Sequence, residues 1–303
     1  MADDQYLWDK SGEPDDDIVQ LEQALGRYAA PPVRRTRRAS FGWRWLAMAA
    51  AILLGVVIWR NGRPELSAWQ LDSGRVLALG ENLVTGSSES AHLSASAVGS
   101  LRLDPNSSLR VVRSRPGEQR FLLSSGTLHA LIWAPSKSFA VDTPAGTSID
   151  LGCSYTLTVD TEGAGLVTVS TGWVAFQAGR RESFIPAGAA CRTRRDRGPS
   201  LPYFKDAPPA LPAAIGRWEQ TQDLSGILAA ARPRDGLTLW HLLQRTEGPS
   251  EKRQVAQRLA ALVAGVDAVG LERGDPAAIT AAWNALGLGT VDWWRSWKHP
   301  WAG

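Results

Sequence analysis

Cys153 and Cys191 are the two cysteines of the chain, and His92, His129, His241 and His299 are its four histidines. From such residues a thiol nucleophile, a general base or a transition-metal site would be built. Their spacing argues against all three. No HExxH, nucleophile elbow, phosphate-binding loop or dinucleotide fingerprint occurs. Each histidine stands alone, among neighbours that suit a ring satisfied by local hydrogen bonds. The sequence therefore predicts a protein that is not an enzyme and that needs no metal and no cofactor. The cysteines leave two outcomes open. One is a single disulfide closing a loop of about 38 residues, contributing roughly 3–4 kcal/mol if unstrained. The other is two buried thiols acting as small apolar side chains, and the separation of their Cα atoms decides between the two. The rest of the chemistry is that of contact. Trp293, Trp297 and Trp301 recur at a spacing of four, on one face of a helix. Such a stripe docks onto the body of the protein or stays exposed as an aromatic surface for a sugar, a peptide or a membrane interface. Arg192, Arg194, Arg195 and Arg197 suit a solvated loop better than a nucleic-acid site.

These residues must be positioned by 303 residues of which 44% are hydrophobic and 21% charged. That suffices for one or two compact domains and is too apolar for disorder. The net charge of +3 conceals a segregation. Residues 1–30 carry eight acids against Lys10 and Arg27, whereas residues 31–60 carry six arginines and no acid. Directly after Arg34–Arg38 comes the stretch from Phe41 to Trp59, interrupted by Arg44 alone and flanked by Trp43, Trp45 and Trp59. At about 1.5 Å per residue it is roughly 28 Å long, close to the thickness of a bilayer's hydrocarbon layer. Basic residues before it and tryptophans at its ends predict one membrane span over residues 41–60, with the N-terminus cytoplasmic. In a bacterium this places the C-terminal body in the periplasm, with both cysteines on the oxidising side.

On the inner side, residues 1–40 form a short tail. Pro14 and three aspartates start a helix, and Ile18, Leu21, Leu25 and Tyr28 then share one face. An isolated helix of about 15 residues cannot bury that stripe, so the four residues are candidates for contact with a partner. On the outer side, residues 66–198 show period-two alternation in short runs punctuated by Gly, Ser, Asp and Pro, which predicts an all-β unit, a sandwich or a short β-solenoid. Residues 199–215 are proline-rich and look like a linker. Over residues 216–303 the period returns to that of helices, in four short amphipathic segments.

Within the β region, Leu123-Ser-Ser-Gly126-Thr-Leu, Phe139-Ala-Val-Asp-Thr-Pro144-Ala-Gly146-Thr, Asp150-Leu-Gly152-Cys-Ser-Tyr155 and Val167-Thr-Val-Ser-Thr-Gly172-Trp resemble the FecR-type domain of periplasmic signal transducers. Pro144, Gly146, Gly152 and Gly172 are its structural positions, at a tight corner, a close backbone approach and a hairpin turn. The resemblance implies an anti-sigma regulator of the inner membrane. In that family a cytoplasmic segment holds a sigma factor, one helix crosses the membrane, and a β-rich domain of stacked rungs senses a periplasmic protein or envelope ligand. The alternative is a membrane-tethered binding or envelope-assembly module whose tail serves topology alone.

Overall fold

The computed structural model describes residues 16–26 and 68–289. The chain divides into two units, Met1–Arg63 and Pro64–Gly303. In the first, the described residues form helix α1, Asp16–Gly26, with Asp16 and Asp17 in the turn where the helix dipole favours negative charge. The expected membrane span at 41–60 lies outside the described residues. Among the described residues no helix is long and apolar enough to cross a membrane.

The second unit is a mainly β, barrel-like body with C-terminal helices. Among the described residues its strands are β1 Gln70–Leu71, β2 Asn82–Val84, β3 Ala91–Ala95, β4 Gly99–Leu103, β5 Ser108–Arg115, β6 Glu118–Ile132, β7 Phe139–Thr143, β8 Gly146–Asp150, β9 Ser154–Val159, β10 Gly165–Thr171, β11 Trp173–Ala178, β12 Arg181–Pro186, β13 Ala189–Arg194, β14 Gly198–Pro199 and β15 Tyr203–Phe204. Strict alternation along β3, with Ala91, Leu93 and Ala95 buried and His92 and Ser94 exposed, gives one wet and one dry face. Two hydrogen-bonded arrays result. One contains β4, β9, β10 and β13, the other β5, β7, β8, β11 and β12, and the 15-residue β6 belongs to both.

Ser125-Gly126 marks a bend inside one strand, not a turn between two. Gly126 has φ +97°, and a Cβ there would lie 2.4 Å from the Cα of Ser107. Only glycine lets β6 press on that neighbour as it passes from one array to the other. Among the named strand pairs only β6 with β7 is parallel; the others are antiparallel, so the strands do not stack as solenoid rungs. The core between the arrays is filled by Trp69, Phe121 and Phe139, with the Trp69 and Phe121 rings edge-to-face at 5.3 Å.

The proline-rich stretch is no linker. It supplies the end of β14, all of β15 and the start of helix α2, Ala210–Thr221. Helices α3 Ser225–Ala230, α4 Gly236–Arg245, α5 Pro249–Leu262, α6 Ala268–Arg273 and α7 Pro276–Ala285 follow. The side chain of Asp275 accepts the Ala277 N–H at the start of α7, where Pro276 needs no donor of its own. Residues 236–243 of α4 are all buried. An aromatic cluster explains why. Trp283 of α7 packs 4.7 Å from Trp240 of α4, and also meets Phe184 of β12 and Trp173 of β11 at 5.9 and 5.7 Å. The helices thus cover the outer face of the sheet at β11 and β12, building a second apolar layer on the same sheet.

Candidate functional site

Helix α1 carries two exposed leucines. Leu21 and Leu25 are 60% and 58% exposed, Ile18 is half-buried, and no residue of the helix is buried. The stripe expected from spacing is thus on a helix and uncovered. Its fourth member, Tyr28, lies outside the described residues. Large aliphatic side chains on one helix face, beside acidic residues, make α1 amphipathic.

In the β body, the positions singled out by motif fall at corners of the chain. Pro144 and Ala145 are the two-residue loop of the β7–β8 hairpin, closed by the pairing of Thr143 with Gly146. Gly146 has φ +140°, and a Cβ there would lie 2.4 Å from the Gln177 carbonyl oxygen. Gly172 does not turn a hairpin. It carries the chain from β10 in one array to β11 in the other, and a Cβ on it would meet the Gly152 carbonyl oxygen at 2.0 Å. The close approach thus belongs to Gly172, whereas Gly152 is required for its φ of +88°.

Beside that corner, a buried carboxyl and a buried thiol come together. Asp150, 1% exposed, accepts the Gly152 N–H at 2.6 Å and the Cys153 Sγ–H at 2.6 Å. Burial raises its pKa to about 6, against the lowering effect of those two donors. The same burial, with the Asp150 charge, pushes the Cys153 thiol far above its ordinary range, so it is no nucleophile. Tyr155 is held protonated for the same reasons.

Cys153 and Cys191 are both free and buried, the second of the two outcomes the sequence left open. Strand register gives the physical reason. Cys191 pairs with Val167, which pairs with Leu157, four residues along from Cys153. At about 3.3 Å per residue and 4.8 Å per strand, the two lie roughly 13 Å apart along the strands and 10 Å across them. A disulfide bridges at most about 7 Å between Cα atoms. Cys191 donates to the Ser200 carbonyl at 3.3 Å, and burial takes its pKa to about 12.

His129 and His241 are held by hydrogen bonds within the folded body. His129 lies on the outer face of β6 between Thr156 at 3.0 Å and Asp104 at 2.8 Å. The array resembles a hydroxyl–imidazole–carboxylate relay, yet His129 and Thr156 are ladder partners in the middle of a sheet. Their backbone donors face neighbouring strands, which leaves none to stabilise an oxyanion. His241 on α4 accepts the Phe184 N–H of β12 at 3.0 Å and holds the Leu237 carbonyl at 2.9 Å. Burial lowers its pKa to about 3. Arg245, one turn on, donates to the carbonyls of Glu182 and Pro199 and to Ser183 Oγ. Together they satisfy outward backbone groups of β12, a strand at the end of the sheet. His241 is satisfied as its surroundings suggested, but the capping of β12 by these two residues was not foreseen, because nothing in their sequence surroundings shows which strand edge the helix will cover. His92 is exposed on β3. His299, Trp293, Trp297 and Trp301 lie outside the described residues. Among the described residues no group of three or more His, Cys, Asp or Glu could hold a metal.

Residues 81–175 match the family model described as FecR protein. This stretch is similar to a FecR domain. It runs from just before β2 into the middle of β11, so it contains Pro144, Gly146, Gly152, Gly172 and the Asp150–Cys153 pair, and excludes α1 and every C-terminal helix. Two crystal structures of a candidate anti-sigma factor from Parabacteroides distasonis are similar to 46% and 47% of this chain, at 14% and 15% identity and TM-scores of 0.37 and 0.38. The similarity takes in 65% and 66% of those chains. Among curated proteins none matches this sequence.

Proposed function

We propose that the chain is a sigma-factor regulator of the inner membrane, in which helix α1 grips a cytoplasmic sigma factor and the FecR domain senses an envelope protein or ligand. The FecR match over residues 81–175 supports the class. The observation that carries the mechanism is the uncovered stripe of α1, with Leu21 and Leu25 in solvent. The arginine-flanked apolar run at 41–60 supports a single span, with α1 inside and the β body in the periplasm. The role is regulatory rather than catalytic. Glycine-bound corners, a hydrogen-bonded buried carboxyl and an unreactive thiol suit a rigid reporter of contact.

Burying two leucines on a partner contributes about 1.5–3 kcal/mol each, so the double substitution Leu21→Asp, Leu25→Asp is expected to weaken sigma-factor retention at least about a hundredfold. Co-purification of the full chain with its cytoplasmic partner measures this, and transcription from sigma-dependent promoters should change with it. A wild-type chain that retains no sigma factor would remove the proposal. If deletion of residues 2–30 left the cellular phenotype unchanged, the tethered binding module would take its place.

A further inference from the structure

The helical layer holds one groove that nothing in the sensing or sigma-binding reading uses. It encloses about 500 Å³ between the β15 region and the ends of α5 and α7. Phe204, Pro233, Leu262, Val263, Leu286 and Leu288 give it apolar walls. At its rim Arg234 lies over the Phe204 ring at 4.4 Å and pairs with Asp206 at 3.1 Å. The described chain ends at Gly289, one residue beyond Leu288 in the wall of this same groove. The fourteen residues that follow contain Trp293, Trp294, Trp297 and Trp301.

We propose that the groove is the seat of the chain's own C-terminal segment, residues 290–303, whose tryptophans fill it. Reach is ample. Trp293 is four residues from Gly289, and each residue of chain can extend the reach by about 3.3 Å. The chemistry matches on both sides. Indole rings remove large apolar areas from water in a groove of aliphatic and aromatic side chains, and the Arg234 guanidinium, already aligned on Phe204, is a cation for a second ring face. Tethering favours this occupant over any other. A segment that starts in the groove wall is present there at a millimolar effective concentration, well above that of a second copy or a free peptide. The seat is independent of sigma-factor binding, so either can fail without the other.

Arg295 and Lys298 place trypsin sites between the tryptophans, which makes the seat testable on the full-length chain. Cleavage after these residues is followed by the mass of the released C-terminal peptides. Docking is expected to slow it in the wild type at least about tenfold relative to two variants. One is Trp297→Ala, Trp301→Ala. The other is Ala187→Glu, Ala264→Glu, which puts charge into the groove at two exposed lining positions and leaves the packed core untouched. An unchanged melting temperature in the second variant shows that the body is intact. Equal cleavage rates in wild type and both variants would overturn the proposal, as would protection that ignores the groove substitutions. Protection that disappears on dilution would assign the groove to a second copy. Protection that arises only with phospholipid vesicles would assign the tryptophans to the membrane surface.

Discussion

Asp150 shows how one side chain ties stability to pH. Its pKa is near 6 in the folded protein, against 3.8 for the unperturbed group. The native state therefore holds a proton that the unfolded chain has lost between those values. Stability from this group is greatest below about pH 4 and falls as pH rises through 6, by about 3 kcal/mol in total. Asp150→Asn keeps an acceptor for the Gly152 N–H and removes the titration. It is expected to raise the melting temperature at pH 7.5 and leave it nearly unchanged at pH 4, as read by thermal unfolding at both values. The motif around Asp150 was legible as a string of residue types, and its glycines were recognised as structural. That the carboxyl points inward without a cation beside it was not, because β8 ends there and alternation gives no side to a terminal residue. Gly172 was misjudged for a related reason. A glycine between two alternating runs signals a sharp change of direction, but whether the next strand pairs with the last or joins another array depends on partners far along the chain.

At the scale of elements, local signals served where burial is one-sided. The α1 stripe, the β3 alternation and the Asp275–Pro276 start of α7 were readable because each is a short-range pattern with one physical cause. The passage of β6 from one array to the other was not, since its bend at Gly126 is made against Ser107, nineteen residues earlier. The cover of β12 by α4 is a contact of the same long-range kind, and it has a measurable consequence. His241→Leu keeps much of the packing against Trp240 and Phe184 but leaves the Phe184 N–H buried without an acceptor. The expected cost is about 1–3 kcal/mol at pH 7, measurable by urea unfolding. Native His241 is neutral, with a pKa near 3 against 6.5 for the free group. The stability it contributes is complete above pH 6.5 and is lost as pH falls toward 3. The variant should lose that acid sensitivity. The trend is opposite in sign to that of Asp150, so the two single variants separate the contributions.

At the scale of the whole molecule, the FecR match ends at Ala175, but the folded unit does not. The outer face at β11 and β12 is closed by Trp240 and Trp283, and the β12 edge is capped from α4. A chain that stops after residue 208 is expected to aggregate, because it exposes Trp173 and Phe184 together with unpaired edge groups. Light scattering of the truncated and full chains would show the difference. The split into a β domain, a linker and helices was an inference from composition. Prolines punctuate β14, β15 and α2 without separating them, and composition does not distinguish these uses. The long strand β6 has a mechanical corollary. Because both arrays hang from it, neither can peel off alone under load. A tug on the outer surface would be delivered undivided to the chain at Trp69, whose ring is locked with those of Phe121 and Phe139 into one three-ring cluster.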